Sequence, residues 1–167
     1  QKMLIFLMLE SYGVEWNYLV TTISTDFSEM TKREFKELYE EMEGIAEGCS
    51  ANGCKTTVDE IIAWNFYMSI PYWYSTKSQT RVGKEGGSGD RCSAFMAVGD
   101  WTEDGEIVCA HNTFTDYIDG QYSNIILDLN PTTGHRFIMQ TSPCWIWSGT
   151  DFFITAKGII GVETTFG

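Results

Sequence analysis

The chain has 167 residues and a mass of 18.9 kDa, enough for one domain, or a domain with a small appendage, around a real core. Apolar residues make up 43 % and charged residues 20 % of it, which excludes wholesale disorder and fibrous repeats. Acidic residues number 23 against 11 basic ones, for a formal charge of -12, which repels phosphate backbones and anionic membrane surfaces and argues against a nucleic-acid partner.

The longest apolar run, Met3–Leu9, is closed by Glu10 and falls far short of the roughly 20 residues that cross a bilayer, so no transmembrane segment is expected. Lys2 precedes this run, but no small-x-small cleavage pattern follows it, and a buried helix explains it better than a signal peptide. The spacing predicts a helix from Leu4 to about Ile23, weakened by Gly13. Thr31-Lys-Arg-Glu34 reads as a capping box opening a second helix, in which Phe35, Leu38, Tyr39, Met42, Ile45 and Ala46 recur at three- and four-residue spacing until Gly48 supplies a stop. A second box, Thr57-Val-Asp-Glu60, opens a third helix through Ile61 to about Met68, with Pro71 just beyond. Residues 1–75 therefore read as a helical region.

From Thr76 to Arg91 apolar content collapses, and Lys84-Glu-Gly-Gly-Ser-Gly-Asp90 reads as a flexible, solvent-exposed connector. Beyond it, residues 92–167 show short strands broken by turns: Ser93–Val98, Glu106–His111, Tyr122–Leu129, Arg136–Thr141, Phe152–Thr155 and Gly158–Glu163. They read as hairpins of one antiparallel sheet, giving an α+β class. The chain stops directly after a strand with no helix to cover the sheet, which predicts truncation at the C-terminus.

Cys92 stands where the connector meets the first strand. If the Arg91–Cys92 bond is cut, Cys92 gains a free α-amino group of pKa about 8 that can serve as general base for its own thiol. The same thiol can make the cut by attacking the preceding carbonyl, and a glycine-rich loop lets the backbone reach the strained geometry required. From spacing alone, a buried structural cysteine in a strand is the plainer reading.

An ordered set of short blocks bears on this choice. Cys92-Ser-Ala-Phe-Met-Ala-Val, Glu103-Asp-Gly-Glu-Ile-Val and Ala110-His-Asn-Thr-Phe114 follow Ile45-Ala-Glu-Gly48, and precede Ser148-Gly-Thr-Asp-Phe-Phe-Ile154 with Gly158-Ile-Ile-Gly-Val-Glu-Thr-Thr165. Together they resemble the cysteine N-terminal-nucleophile hydrolases, in particular the phospholipase B-like proteins and the autoproteolytic penicillin acyltransferase-type peptidases. The resemblance implies a partial αββα sandwich preceded by a helical pro-region, cleavage between Arg91 and Cys92, and hydrolysis or transfer of an acyl group at a linear amide or ester. It implies Cys92 as nucleophile and His111 and Asn112 as a polar pair orienting nucleophile or substrate. Phe114, Thr164 and Thr165 fall at substrate-binding positions, with Phe114 standing where phospholipase B-like proteins often have Trp. It implies no cofactor, a small lipid-like amide or ester as the partner molecule, and export or lysosomal residence.

The remaining candidates have plain readings. Cys49-Ser-Ala-Asn-Gly-Cys54 could close a small disulfide loop or stay reduced. A zinc site there has only His111 and His135 to draw on, and no metal is expected. Cys109 and Cys144 read as buried small side chains, and His135 as an exposed turn residue. Asp116, Asp119 and Asp128 lack the spacing of a calcium loop and read as a solvated face. The aromatic runs Pro71–Tyr74 and Cys144–Trp147 read first as core and second as an acyl or sugar pocket. Two rivals to the hydrolase reading are a non-catalytic module whose aromatic-rich sheet binds lipid or carbohydrate, and a papain-like protease pairing Cys92 with His111. The second is disfavoured because that fold places its cysteine at a helix start, whereas the residues after Cys92 alternate like a strand.

Overall fold

The structure is a computed structural model, and it describes residues 13–66, 69, 92–114, 117–122, 125–149 and 152–164. Met3–Leu9, the aromatic run 71–74, the connector 76–91 with Arg91, Asp116 and Thr165 lie outside the described residues. The elements in chain order are α1 (Trp16–Ile23), a π-helical turn (Ser24–Ser28), α2 (Glu29–Glu34), α3 (Lys36–Ala51), α4 (Val58–Asn65), β1 (Ser93–Gly99), β2 (Gly105–Asn112), the short helix α5 (Tyr117–Gly120), β3 (Ile125–Leu129), β4 (Phe137–Thr141), β5 (Phe152–Thr155) and β6 (Ile160–Val162). Two compact units result: the helices α1–α4 with residues 144–146, and the strands with their connections.

In the helical unit α1 and α3 each bury a stripe at four-residue spacing, and α4 buries four successive residues against them. Leu19 and Ile23 of α1, Met42 and Ala46 of α3, and Ile61 through Trp64 of α4 are buried, and both α1 and α3 pack against α4. The second capping box forms as expected: the Glu60 amide donates to Thr57 Oγ1 at 3.2 Å and the Thr57 amide donates to Glu60 Oε2 at 2.9 Å. The first does not. Thr31 lies inside α2, and the chain breaks at Phe35 (φ -128°, ψ 51°) before α3 starts without a side-chain cap. Thr31-x-x-Glu34 carries the letters of a box, but the chain is already helical from Glu29 onward, so no orphan amides are there to be capped.

Gly48 does not stop α3, which runs on to Ala51. The stop is Gly53, at φ 83°, where an L side chain would be strained. The Cys54 amide donates to the Cys49 carbonyl at 2.9 Å and the Gly53 amide to the Ser50 carbonyl at 3.1 Å, the paired closure of a Schellman motif.

Asn65 ties residues 144–146 to the helical unit. Asn65, the last residue of α4, donates from Nδ2 to the carbonyls of Ile61 and Cys144, each at 2.9 Å, and accepts at Oδ1 from the Ile146 amide at 2.9 Å. Trp145 between those anchors is buried and tilts against Trp64, with ring centroids 5.5 Å apart. Trp145 is thus core, the first of the two sequence readings of this run, while Trp147 is half-buried and belongs to the strand unit.

In the strand unit the expected single sheet is two: a β1–β2 hairpin, and a four-stranded meander in the order β3-β4-β5-β6, all antiparallel. The break falls in the connection from β2 to β3, where Tyr117–Gly120 is helical and β3 begins at Ile125 rather than at Tyr122. In the meander Met139 and Thr141 are buried while Ile138, next to Met139 on the opposite face, is exposed, as a sheet with one packed face requires. Thr141 Oγ1 donates to the Trp147 carbonyl at 2.6 Å, and Ser148 Oγ accepts the Phe152 amide at 2.9 Å while lying 3.0 Å from the Gln140 carbonyl. Those contacts stitch β4 to β5. Arg136 grips Asp128 with two guanidinium nitrogens, Nε to Oδ1 at 2.7 Å and Nη2 to Oδ2, and this hydrogen bonding holds the exposed Asp128 carboxyl below its usual range.

Three outcomes are expected. Asn65→Ala removes the anchors of the 144–146 segment and lowers unfolding free energy by about 2–3 kcal/mol in urea, against about 1 kcal/mol for Thr57→Ala. Arg136→Gln returns the Asp128 carboxyl to the ordinary aspartate range in an NMR pH titration. Because the folded carboxyl titrates low, Asp128 supports the fold above its unfolded pKa, and that support is lost as pH falls through the folded value; Arg136→Gln abolishes this acid-side dependence.

Candidate functional site

The β1–β2 hairpin carries the candidate site. The connection between its strands is closed by Thr102. The Thr102 amide donates to the Gly99 carbonyl at 3.0 Å, its hydroxyl lies 2.9 Å from the Glu106 carbonyl, and the Glu106 amide donates to Asp104 Oδ1 at 3.1 Å. Gly99 and Gly105 flank the connection at φ 59° and 77°, in the left-handed region. A register shift between Ala97 and Gly99 inserts a bulge at the turn end. Below the bulge the pairing is regular: Ala97 faces Val108, Phe95 faces Ala110, Ala94 faces His111 and Ser93 faces Asn112.

That register decides which residues share a face. Ala94 and His111 form one cross-strand pair, so their side chains lie on one face of the hairpin, and Ser93 with Asn112 lie on the other. Continued by one residue, the alternation carries Cys92 to the face of Ala94 and His111, diagonally across from His111. His111 Nδ1 lies 3.4 Å from Thr113 Oγ1. Its Nε2 is buried and makes no hydrogen bond among the described residues, an uncommon state for a polar atom out of water. Asn112 Nδ2 donates to Ser93 Oγ at 3.4 Å on the opposite face.

The expected site residues therefore separate. Cys92, half-buried, and His111 come together on one face; Asn112 stands on the other. Phe114 is exposed, and Thr164 is half-buried just after β6, a strand that comes within contact range of β2. Two residues not singled out from the sequence join the picture. Thr113 fixes one nitrogen of the His111 ring, and Thr102 sets the hairpin register. A hydroxyl two residues after a strand histidine is the only trace the first leaves in sequence, and the second sits in a turn that reads as generic.

Among the described residues no group of three metal-ligating side chains converges, and no helix is long and apolar enough to cross a membrane. His135 is exposed, as expected of a turn residue. The disulfide loop weighed for Cys49 and Cys54 is not formed. All five cysteines are thiols, and Cys54 Sγ sits 3.7 Å from Thr56 Oγ1. Cys49 turns instead toward Cys144, the two Sγ atoms being 3.9 Å apart. Cys144, read from sequence as a buried packing residue, is half-exposed and takes a left-handed backbone at φ 66°, with its carbonyl accepting from Asn65.

No protein-family model matches the chain, and no solved structure matches it. The chain is similar to a protein of Archaeoglobus fulgidus described as uncharacterized, at 26 % identity over 132 residues. That similarity covers 76 % of this chain and 21 % of the archaeal protein, so the chain spans about a fifth of that relative's length.

Proposed function

We propose that the chain is the nucleophile-bearing part of a self-processing cysteine amidase or acyl-transferring hydrolase of the N-terminal-nucleophile, phospholipase B-like kind, acting on a small amide or ester. One observation carries the reading: the β1–β2 register sets Cys92 at the head of a strand, on the face where His111 keeps a buried Nε2 without a hydrogen-bond partner among the described residues. A cysteine nucleophile is activated by an adjacent base: here the Cys92 α-amine freed by processing is that base, and the unsatisfied His111 nitrogen on the same face is the group that orients the thiol.

In the processing step Cys92 Sγ attacks the Arg91 carbonyl carbon. The Arg91–Cys92 C–N bond breaks as the α-nitrogen takes a proton, and water then hydrolyses the resulting thioester to leave a carboxylate on Arg91 and a free thiol and amine on Cys92. In turnover the thiolate attacks a substrate carbonyl, the leaving amine or alcohol takes a proton from the Cys92 α-ammonium, and water resolves the acyl-thioester. His111 orients the thiol through Nε2, while Thr113 holds the ring at Nδ1. Asn112, on the other face, serves the hairpin through Ser93 rather than the nucleophile. Phe114 and Thr164 border the acyl group.

A second reading, a non-catalytic lipid- or carbohydrate-binding module, draws on the hairpin's exposed apolar side chains, among them Phe95, Met96 and Trp101. Intact mass and N-terminal sequencing separate the two. The hydrolase reading expects the 18.9 kDa chain to yield a fragment beginning at Cys92, with none from Cys92→Ala. An uncut wild-type chain with a Cys92 inert to iodoacetamide supports the binding module and contradicts the hydrolase. Thr102→Ala, which loosens the hairpin without touching the reacting atoms, is expected to slow processing about tenfold, the equivalent of about 1.4 kcal/mol.

A further inference from the structure

The pairing of Cys49 with Cys144 is used by nothing described so far. The two thiols are 95 positions apart in sequence, yet their sulfurs lie 3.9 Å from each other, and each is carried by a backbone already anchored. Cys49 sits in the last turn of α3, where its carbonyl accepts the Cys54 amide in the Schellman closure. Cys144, whose backbone is left-handed at φ 66°, gives its carbonyl to Asn65, which also accepts from the Ile146 amide. Each cysteine's carbonyl is thus hydrogen-bonded before the sulfurs join. Reaching the length of an S–S bond, about 2.05 Å, takes an approach of about 1.9 Å, within the range of side-chain rotation. Both residues are half-exposed, so a small oxidant can reach them.

We propose that Cys49 and Cys144 form a reversible disulfide that locks the 144–146 segment onto the helical unit. With a low-molecular-weight disulfide such as oxidised glutathione as oxidant, one protein thiolate attacks a glutathione sulfur and expels one glutathione thiolate. The second protein thiolate then displaces the other glutathione from the mixed disulfide. The two protein thiols lose two electrons and two protons, and two molecules of reduced glutathione leave. Cys54, exposed and five residues from Cys49, is the competing partner.

The loop closed by this bond is long, and a long loop is where a cross-link most restricts the unfolded chain. The bond also has a consequence for processing, although it does not rest on that reading: Cys49 precedes position 92 and Cys144 follows it, so a chain cut there stays in one covalent piece until reduced.

The test uses the full chain, incubated with oxidised glutathione, capped with iodoacetamide and digested without reductant. Mass spectrometry is expected to find the Cys49 peptide joined to the Cys144 peptide, and the joined species to vanish on reduction. Thermal unfolding is expected to move up by about 5–15 °C on oxidation and to return with reductant, a shift that Cys49→Ser lacks. A Cys49–Cys54 link, a persistent glutathione adduct, or alkylated Cys49 and Cys144 after oxidation each overturns the proposal. The mapping is done on the wild-type chain, so an ill-folded Cys144→Ser variant leaves it decisive, and it reads disulfides alone, so it stands apart from whether Arg91–Cys92 is cut.

Discussion

The register of β1 on β2 is the constraint on which the candidate site depends. Side chains alternate faces along a strand, so a slip of one residue would carry Cys92 away from His111 and bring it to the face of Asn112. Local chemistry guards against that slip. The bulge between Ala97 and Gly99 absorbs one extra residue at the turn end, two glycines take backbone angles that other residues resist, and Thr102 and Asp104 tie the connection to Gly99 and Glu106. A hairpin exposing apolar side chains on both faces, such as Phe95 and Met96, has little burial with which to set its own pairing. Its turn supplies that specification, and the placement of Cys92 follows from a threonine ten residues downstream.

The helical unit depends on a comparable single group. Asn65 closes α4 and at the same time satisfies a carbonyl and an amide of the segment 144–146, polar groups that would be expensive to leave unpaired next to the buried Trp64 and Trp145. The same amide brackets the buried Trp145 between its two anchors and holds the carbonyl of Cys144, whose thiol faces that of Cys49.

Local signals were legible in the sequence and long-range ones were not. The Thr57 to Glu60 capping box, the strand Phe152–Thr155 and the antiparallel hairpins could be read because their causes lie within a few residues. Thr31 to Glu34 has the same letters as Thr57 to Glu60, and only the helical chain running into it from Glu29 tells the two apart. The meeting of Cys49 with Cys144 left no trace in spacing, because the two are 95 positions apart and are brought together only by the folded chain. For the site, residue types pointed to Cys92 and the His111–Asn112 pair. Assigning His111 to the nucleophile's face and Asn112 to the other needed the register, which a sequence without its partner strand does not contain.

The measurement that bears most directly on this account is proton NMR of the imidazole rings. The chain has two histidines, so His111 and His135 can be told apart with a single substitution. If Cys92 shares a face with His111, then Cys92→Ala or alkylation of Cys92 moves the His111 ring resonances and leaves those of the exposed His135 in place. Unchanged His111 resonances after either modification would contradict the register-based placement of the thiol, and with it the site.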